Sequence, residues 1–422
     1  MYSADDRPMK LLFLSPYLPS PPRWGAPRRV HGLLSELARR HEVSVLAFTV
    51  PGEDTEAGIL ATKQYCKEVM TVESNHLDRA LHGRRKRAVQ LRSLLDTRSF
   101  ERLTFFHPSF QHKLDQMTAN GNYDVITTEH AQMACYHLPR TSRQVLDEHN
   151  IEYNILRRTT IAEQRGYAPS IRKLYNRVNY LKLRREERAA WQRFDGITLT
   201  SERDEQLLRF DAPGKQTAVI PNAVDTEFFQ PSGKNAVEPG MILFFGAINY
   251  YPNTEGLLFF LDEVFPRIKE QYPGARLWIV GQSPPAAIIG RAAQDVIVTG
   301  LVDDVRPYLE QAAVVIAPLR IGGGTRLKIV EAMAMGKPIV ATQIGAEGLN
   351  VSDGQDILLG DTPEDFACQV VRVLGDPALA QRLGEAARQG AEARYTWKSA
   401  VDRLERFYHE LPSPARSLTP YS

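Results

Sequence analysis

Residues 313–342 read AVVIAPLRIGGGTRLKIVEAMAMGKPIVAT, two apolar runs separated by a glycine triplet and a segment of helical period. Val314, Val315 and Ile316 predict a short buried parallel strand that ends at Pro318. Gly322, Gly323 and Gly324 allow a sharp turn and leave room for a ligand. From Thr325 onward, Leu327, Val330, Ala332 and Met333 predict a helix, stopped by Gly336 with Pro338 just beyond. Ile339, Val340 and Ala341 predict the next strand. A glycine loop that feeds a helix presents unpaired N–H groups and the positive end of the helix dipole. Arg326 and Lys328 fall in the first turn, where a helix favours acids. That placement predicts a bound anion, a phosphate, as the source of the missing negative charge.

Two such α/β blocks follow one another along the 422 residues. The first opens with the strand 10–16, a Pro-rich loop at 19–27, a helix at 28–40 and a strand at 42–48, a βαβ unit of a doubly wound sheet. Further strands are expected at 125–128, 144–147, 196–200 and 218–220, with an Arg- and Lys-dense helical stretch at 157–192. Residues 231–239 have linker composition. The second block restarts with Met241 to Phe245 and Gly246, again a strand closed by glycine. A helix is expected at 257–271, strands at 276–280 and 296–298, a helix at 305–312, then the opening motif. Three helices close the chain, at 365–374, 377–393 and from about 397 to 411. The expected division is 1–232, 233–395 and a C-terminal helix in 396–422 that crosses back to the first block.

Bulk properties exclude several classes. A net charge of +2 and 24% charged residues do not predict a nucleic-acid binder. Cys66, Cys135 and Cys368 are far apart, form no CxxC, and read as reduced core residues. Residues 1–20 lack the pattern of a signal peptide, and no run approaches the length of a transmembrane helix, so a cytoplasmic protein is expected. The chain has no Gly-x-Gly-x-x-Gly after a strand and no Gly-x-x-x-x-Gly-Lys-Ser/Thr, so dehydrogenase and P-loop readings lack their phosphate loops. His and Cys spacing offers no metal site, and Asp-x-Asp does not occur.

The pieces FLSPYLPSPPRWGAPRRVHGLLSELARRHEVSVL, VLDEHNIEYN, LTSERDEQ, VIPNAVDTEFF, LFFGAINYYPNTEG, LWIVGQSP, VTGLVDDVRPYL and GGGTRLKIVEAMAMGKPIVAT occur in this order. Together they resemble retaining glycosyltransferases of family 4, closest to members that assemble exopolysaccharide or lipid-linked saccharides. The resemblance implies the GT-B fold, α/β with two Rossmann-like doubly wound domains facing a central cleft, hinged near 231–240. It implies a nucleotide-sugar donor, UDP- or GDP-linked, held by the second domain, and a saccharide or lipid-linked acceptor held by the first. No metal or other cofactor is expected. Alternatives are a sugar-nucleotide epimerase or hydrolase on the same fold, or a non-catalytic nucleotide-sugar-binding partner.

Glu331 matches the family's ribose-binding carboxylate; a structural pair with Lys328 one turn earlier is the alternative. The family's second Glu, eight residues earlier, is replaced here by Gly323. The backbone N–H groups of Gly323, Gly324 and Thr325 remain able to hold a hydroxyl or phosphate. The loop after Gly246 lacks the Arg and Lys that the family places there, so diphosphate neutralisation is assigned to Arg326 and Lys328. Gly246, Gly281 and the loop at Leu301 and Val302 complete the expected donor surface. Gly25 matches one glycine of the family's first loop; Ala26 departs from the second. Arg23, Arg28 and Arg29 around them attract a phosphorylated acceptor or form a solvated helix start. His149 matches the family's cleft histidine, with Glu152 a weaker neighbour. Ser201, Glu202 and Asp204 match a strand-end motif or simply cap a helix. Arg84, Arg85, Lys86 and Arg87, with Arg92, interleave with leucines and read as an anionic-membrane contact or a solvated helix face.

Overall fold

Seven parallel strands build the first sheet of the computed structural model, which describes residues 7–22, 25–50, 55–74, 84–164, 170–321 and 325–413. They are β1 (Lys10–Ser15), β2 (Glu42–Thr49), β3 (Glu68–Glu73), β4 (Val125–Glu129), β5 (Arg143–Glu148), β6 (Gly196–Leu199) and β7 (Gln216–Val219). Their order is β3-β2-β1-β4-β5-β6-β7. Leu11, Leu12, Phe13 and Leu14 of β1 are all buried, as a strand covered on both faces requires. The helices of this unit are α1 (Gly25–Leu37), α2 (Thr55–Lys63), α3 (Arg84–Leu95), α4 (Phe100–Phe105), α5 (Pro108–Asn120), α6 (Glu152–Gln164), α7 (Ser170–Arg193) and α8 (Glu202–Asp211). The strand order reverses between β1 and β4, so the loops after them open at a topological switch point.

The second unit repeats the plan with six parallel strands in the order β10-β9-β8-β11-β12-β13. The strands are β8 (Met241–Phe245), β9 (Arg276–Val280), β10 (Val296–Gly300), β11 (Val314–Ala317), β12 (Ile339–Ala341) and β13 (Leu358–Leu359). Its helices are α9 (Tyr251–Phe259), α10 (Phe265–Gln271), α11 (Ala286–Ile289), α12 (Arg306–Gln311), α13 (Leu327–Ala334), α14 (Pro363–Gly375) and α15 (Pro377–Arg394). The switch point lies between β8 and β11, which places the loops after Phe245 and after Ala317 side by side.

By internal contacts the units are Met1–Pro221 with Ala400–Ser422, and Asn222–Ser399. The last helix, α16 (Trp397–Glu410), packs from Ala400 onward on the first unit. Tyr408 is fully buried and its hydroxyl lies 2.8 Å from Thr127 Oγ1. Arg40 donates to Glu405 at 2.8 Å and to Asp402 at 2.9 Å. The linker-like residues 231–239 are not a free connector. Glu310 accepts hydrogen bonds from the amides of Ser232 and Gly233 and from Asn235 Nδ2, which ties the segment to the second unit. Val224 donates to the Tyr395 carbonyl at 2.8 Å, and Phe229 enters the core.

Several elements differ from expectation. The stretch 157–192 forms two helices, α6 and α7, with 165–169 outside the described residues. The helix expected at 257–271 begins at Tyr251, because Pro252 suits a first turn, and passes through a π-turn at Phe260–Val264. Cys66 and Cys135 are buried, but Cys368 is exposed on α14, which corrects its reading as a core residue.

Candidate active site

In the second unit the strand ends close on one another through two glycines. Gly246 has φ of +135° and Gly281 of +153°, and a Cβ on Gly281 would lie 1.7 Å from the Gly246 carbonyl oxygen. Only glycine fits there. Gly246 N–H donates to the Val280 carbonyl at 3.0 Å, and Gly281 N–H to that of Gly300 at 2.9 Å. Leu301 and Val302 follow directly, Leu301 well exposed and Val302 half-buried.

The helix after β11 begins at Leu327, two residues later than the sequence predicts, with Arg326 as its N-cap. It ends as expected at Gly336, whose φ is +63°. The Gly336 and Lys337 amides donate to the Met333 and Ala332 carbonyls, a Schellman stop. Lys328 points back from the first turn to the Gly246 loop. Its Nζ donates to Asn253 Oδ1 at 2.8 Å and lies 3.9 Å above the Phe244 ring. A Cβ on Gly246 would come 3.4 Å from the same nitrogen. Burial pulls the Lys328 pKa down to about 7; Arg326 lowers it further and Glu331 opposes them. Arg326 and Glu331 are thus near enough to Lys328 to act on its charge, in opposite senses. Glu331 is buried in the middle of α13.

Asn222, in the Pro-Asn-Ala-Val-Asp motif, donates through Nδ2 to the Thr325 carbonyl at 3.0 Å and so fixes the loop that enters α13. Thr325 is buried, and its Oγ1 has no hydrogen-bond partner among the described residues. Gly323 and Gly324 lie outside those residues. Glu255, beyond the Gly246 loop, is taken by Arg320, whose Nε donates to it at 2.9 Å. A cation that reaches the 247–253 loop is Lys328 of α13, through Asn253.

In the first unit, Gly25 opens α1 and is exposed. Arg23 lies outside the described residues, and Arg28 donates to the Pro22 carbonyl at 3.3 Å. Arg29 is neither an anion magnet nor a solvated helix start. It is 1% exposed and grips Asp147 through Nε and Nη2, both at 3.0 Å, while Nη1 donates to the Ile220 carbonyl at 2.9 Å. The guanidinium is enclosed between Asp147 at the end of β5 and the Ile220 carbonyl. Thr198 Oγ1 also donates to Asp147, at 2.6 Å.

His149 follows β5 and is buried beside this pair. Its Nε2 lies 2.7 Å from Glu129 Oε2 and 3.3 Å from Asp147 Oδ2. Burial alone would lower its pKa, but the bonds to Asp147 and Glu129 outweigh that and raise it to about 8. His130, at the end of β4, is the residue that sequence reasoning missed. Its φ is +67°, a conformation rare for a side-chain-bearing residue. It is half-buried, its Nε2 lies 2.9 Å from the Tyr17 hydroxyl, and its ring centroid is 3.8 Å from that of His149. Burial, then His149 and Arg29, hold its pKa well below the ordinary value. Thr-Thr-Glu-His after an apolar run carried the same strand-end signal as Asp-Glu-His. Glu152 is half-buried at the start of α6, its pKa raised to about 7 by burial. Ser201 caps α8, accepting from the Asp204 amide.

Glu129, Asp147 and His149 stand close enough for one cation to touch all three. Asp147, however, already carries a bidentate guanidinium, so a metal would face Arg29 at short range. The group reads as a buried ion cluster.

Two parallel sheets, each with a ligand-type loop at its switch point, define a GT-B glycosyltransferase fold. The family description "Glycosyltransferase Family 4" matches residues 25–228, and "Glycosyl transferases group 1" matches residues 239–376. The chain belongs to the family 4, group 1 glycosyltransferases. The phosphatidyl-myo-inositol mannosyltransferase of Mycobacterium tuberculosis is 28% identical over 214 residues, 47% of this chain and 56% of that protein. The D-inositol 3-phosphate glycosyltransferase of Nocardiopsis dassonvillei is 26% identical over 265 residues, 55% of this chain and 59% of its own. The chain thus spans somewhat over half the length of these relatives. Among solved structures, sucrose-phosphate synthase from Thermosynechococcus elongatus superposes with a TM-score of 0.70 at 19% identity, covering 95% of this chain and 98% of its own. Anabaena HepE in complex with UDP and glucose gives 0.65 at 16%, covering 96% and 100%. These likenesses show the fold.

Proposed function

We propose that the protein is a metal-independent, retaining glycosyltransferase that moves a sugar from a UDP- or GDP-linked donor to a saccharide or lipid-linked acceptor in cell-surface glycan synthesis. The observation that carries this reading is Lys328 of α13, set against the Gly246 loop at the second unit's switch point with Arg326 and Glu331 near enough to act on its charge. Lys328 and Arg326 face the diphosphate, whose charge grows as the glycosidic bond breaks, and so stabilise the transition state more than the ground state. Glu331 accepts hydrogen bonds from the ribose hydroxyls, as its family match implies. The backbone around Leu301 and Val302 meets the base. A uracil donor is favoured by the UDP and UDP-glucose complexes of HepE.

The first unit binds the acceptor. His130, rather than the more deeply enclosed His149, presents its ring to the acceptor. Retention follows if a donor phosphate oxygen takes the acceptor proton as the acceptor attacks on the leaving-group face. No helix among the described residues is long and apolar enough to cross a membrane. A lipid-linked acceptor is instead met at a surface. Lys86, Arg87 and Arg92 are exposed on α3 among Leu91, Leu94 and Leu95. Leu174, Arg177, Leu181, Arg185 and Arg188 form an exposed stripe on α7 at helical spacing. Arg84 and Arg85 belong to α3, but their side chains lie outside those described.

The test is incubation of the full chain with UDP- and GDP-sugars, with and without saccharide or lipid-linked acceptors, in chelator. Acceptor-dependent nucleoside diphosphate release with an elongated, configuration-retained product is expected. Sugar release without an acceptor would favour the hydrolase or epimerase, and binding without turnover the non-catalytic partner.

A further inference from the structure

The first unit contains a cluster of ionisable groups that the donor chemistry does not use. Arg29, Glu129, Asp147 and His149 are each less than a tenth exposed and come from α1, β4 and the end of β5. Arg29 and Asp147 satisfy each other in a fork, which leaves Glu129 and His149 to balance. Their facing atoms are 2.7 Å apart, and Asp147 Oδ2 lies 3.3 Å from the same Nε2, so a ring protonated on both nitrogens makes an ion pair there, whereas a neutral ring would leave the buried carboxylates uncompensated. The ring centroids of His130 and His149 are 3.8 Å apart. The Nε2 of His130 engages a neutral phenol, Tyr17. Two imidazoles so close do not both carry charge when one already does.

We infer that His149 is a positioning residue: clamped between Glu129 and Asp147, it remains an imidazolium and thereby keeps His130 a neutral ring. A neutral His130 meets a sugar hydroxyl through a hydrogen bond rather than as a fixed cation. The claim that a sugar is the ligand rests on the function proposed above; the protonation pattern does not. The other groups facing the two rings are Glu148 and Glu152, Arg29 and the Tyr17 hydroxyl, while the Tyr408 hydroxyl faces Glu129 and Asp147. Glu148 accepts from Trp191 Nε1 at 2.8 Å, and burial lifts its pKa to about 8, so it adds little negative charge at neutral pH.

The experiment is a side-chain nitrogen and carbon NMR titration of the full chain with labelled histidines, assigned by His130→Gln and His149→Gln. At pH 7 His149 should show the imidazolium pattern and His130 a single neutral tautomer that persists below the ordinary histidine midpoint of about 6.5. In His149→Gln the cation is gone and Glu129 is unpaired, so the His130 midpoint should rise by at least about one unit. If that variant does not fold, Glu129→Gln keeps the volume and should lower the His149 midpoint. A neutral His149 at pH 7, a charged His130, or midpoints unmoved in the variant that folds would overturn the inference. Where transfer activity is present, the acid limb of kcat/KM should move upward in pH by the same amount in His149→Gln. An enzyme without transfer activity but with the stated NMR pattern would sink the functional reading alone.

Discussion

Lys328 is an ammonium set beside Arg326 with only Glu331 to offset them, and burial lowers its pKa to about 7. Its unfolded value is near 10.4, so the free protein holds it half-neutral around pH 7, and a bound diphosphate returns it to the charged form. Nucleotide binding at pH 8 should therefore take up a proton, and affinity should weaken as pH rises above about 7. Calorimetry in buffers of different ionisation enthalpy measures that uptake, and Lys328→Met should abolish it. Glu148 behaves in the opposite sense. Its folded pKa, about 8, is above its unfolded value, so the folded state binds the extra proton and stability falls as pH rises from about 4.5 to 8. Glu148→Gln keeps an acceptor for Trp191, and its gain in Tm over the native chain should widen between pH 6 and 8 and then level off. The placing of Lys328 and Glu331 on one helix was legible in the sequence because helical spacing fixes them relative to each other. The partners of Arg29 were not. Asp147 lies 118 residues away, and only the sheet order brings the two together.

Apolar runs closed by glycine or proline gave the positions of β1, β8, β9, β11 and β12 to within a residue or so, because strands buried on both faces leave a continuous signal. Of the four edge strands, β7 and β10 were expected but β3 and β13 were not. In β3, Glu68 to Glu73, only Val72 is buried, and β13 has two residues. The loop between strand and α13 hides its true helix start, since Arg326 takes the cap without a capping side chain. Where β8 and β9 end, geometry is unforgiving. Gly281→Ala places a Cβ against the Gly246 carbonyl and should cost on the order of 3 kcal/mol, read as a fall in the urea midpoint. Nucleotide affinity should fall with it, because the same shift moves the loop that Lys328 touches.

At the scale of the molecule, two doubly wound units follow from two βαβ-type blocks, and the sequence order alone made that division visible. What it obscured was where the chain leaves one unit for the other. Residues 231–239 look like a linker, yet Glu310, itself on α12, ties them down, and the unit boundary falls at Pro221 and Asn222. The α3 and α7 faces belong to this scale as well, since neither helix alone offers more than a few basic and apolar positions. Sedimentation with anionic phosphatidylglycerol vesicles should carry the chain down, with little binding to neutral phosphatidylcholine. Replacing Leu91, Leu94 and Leu95 by Ser, or Arg177, Arg185 and Arg188 by Glu, should lower that binding at least tenfold while leaving nucleotide affinity unchanged.

The measurement that tests the central claim most directly is titration calorimetry of UDP and GDP into the native chain, without metal, with Glu331→Ala and Lys328→Met alongside. The account predicts saturable binding of one nucleotide, lost by tenfold or more in each variant. No binding of either nucleotide, or binding that both variants retain, would contradict it.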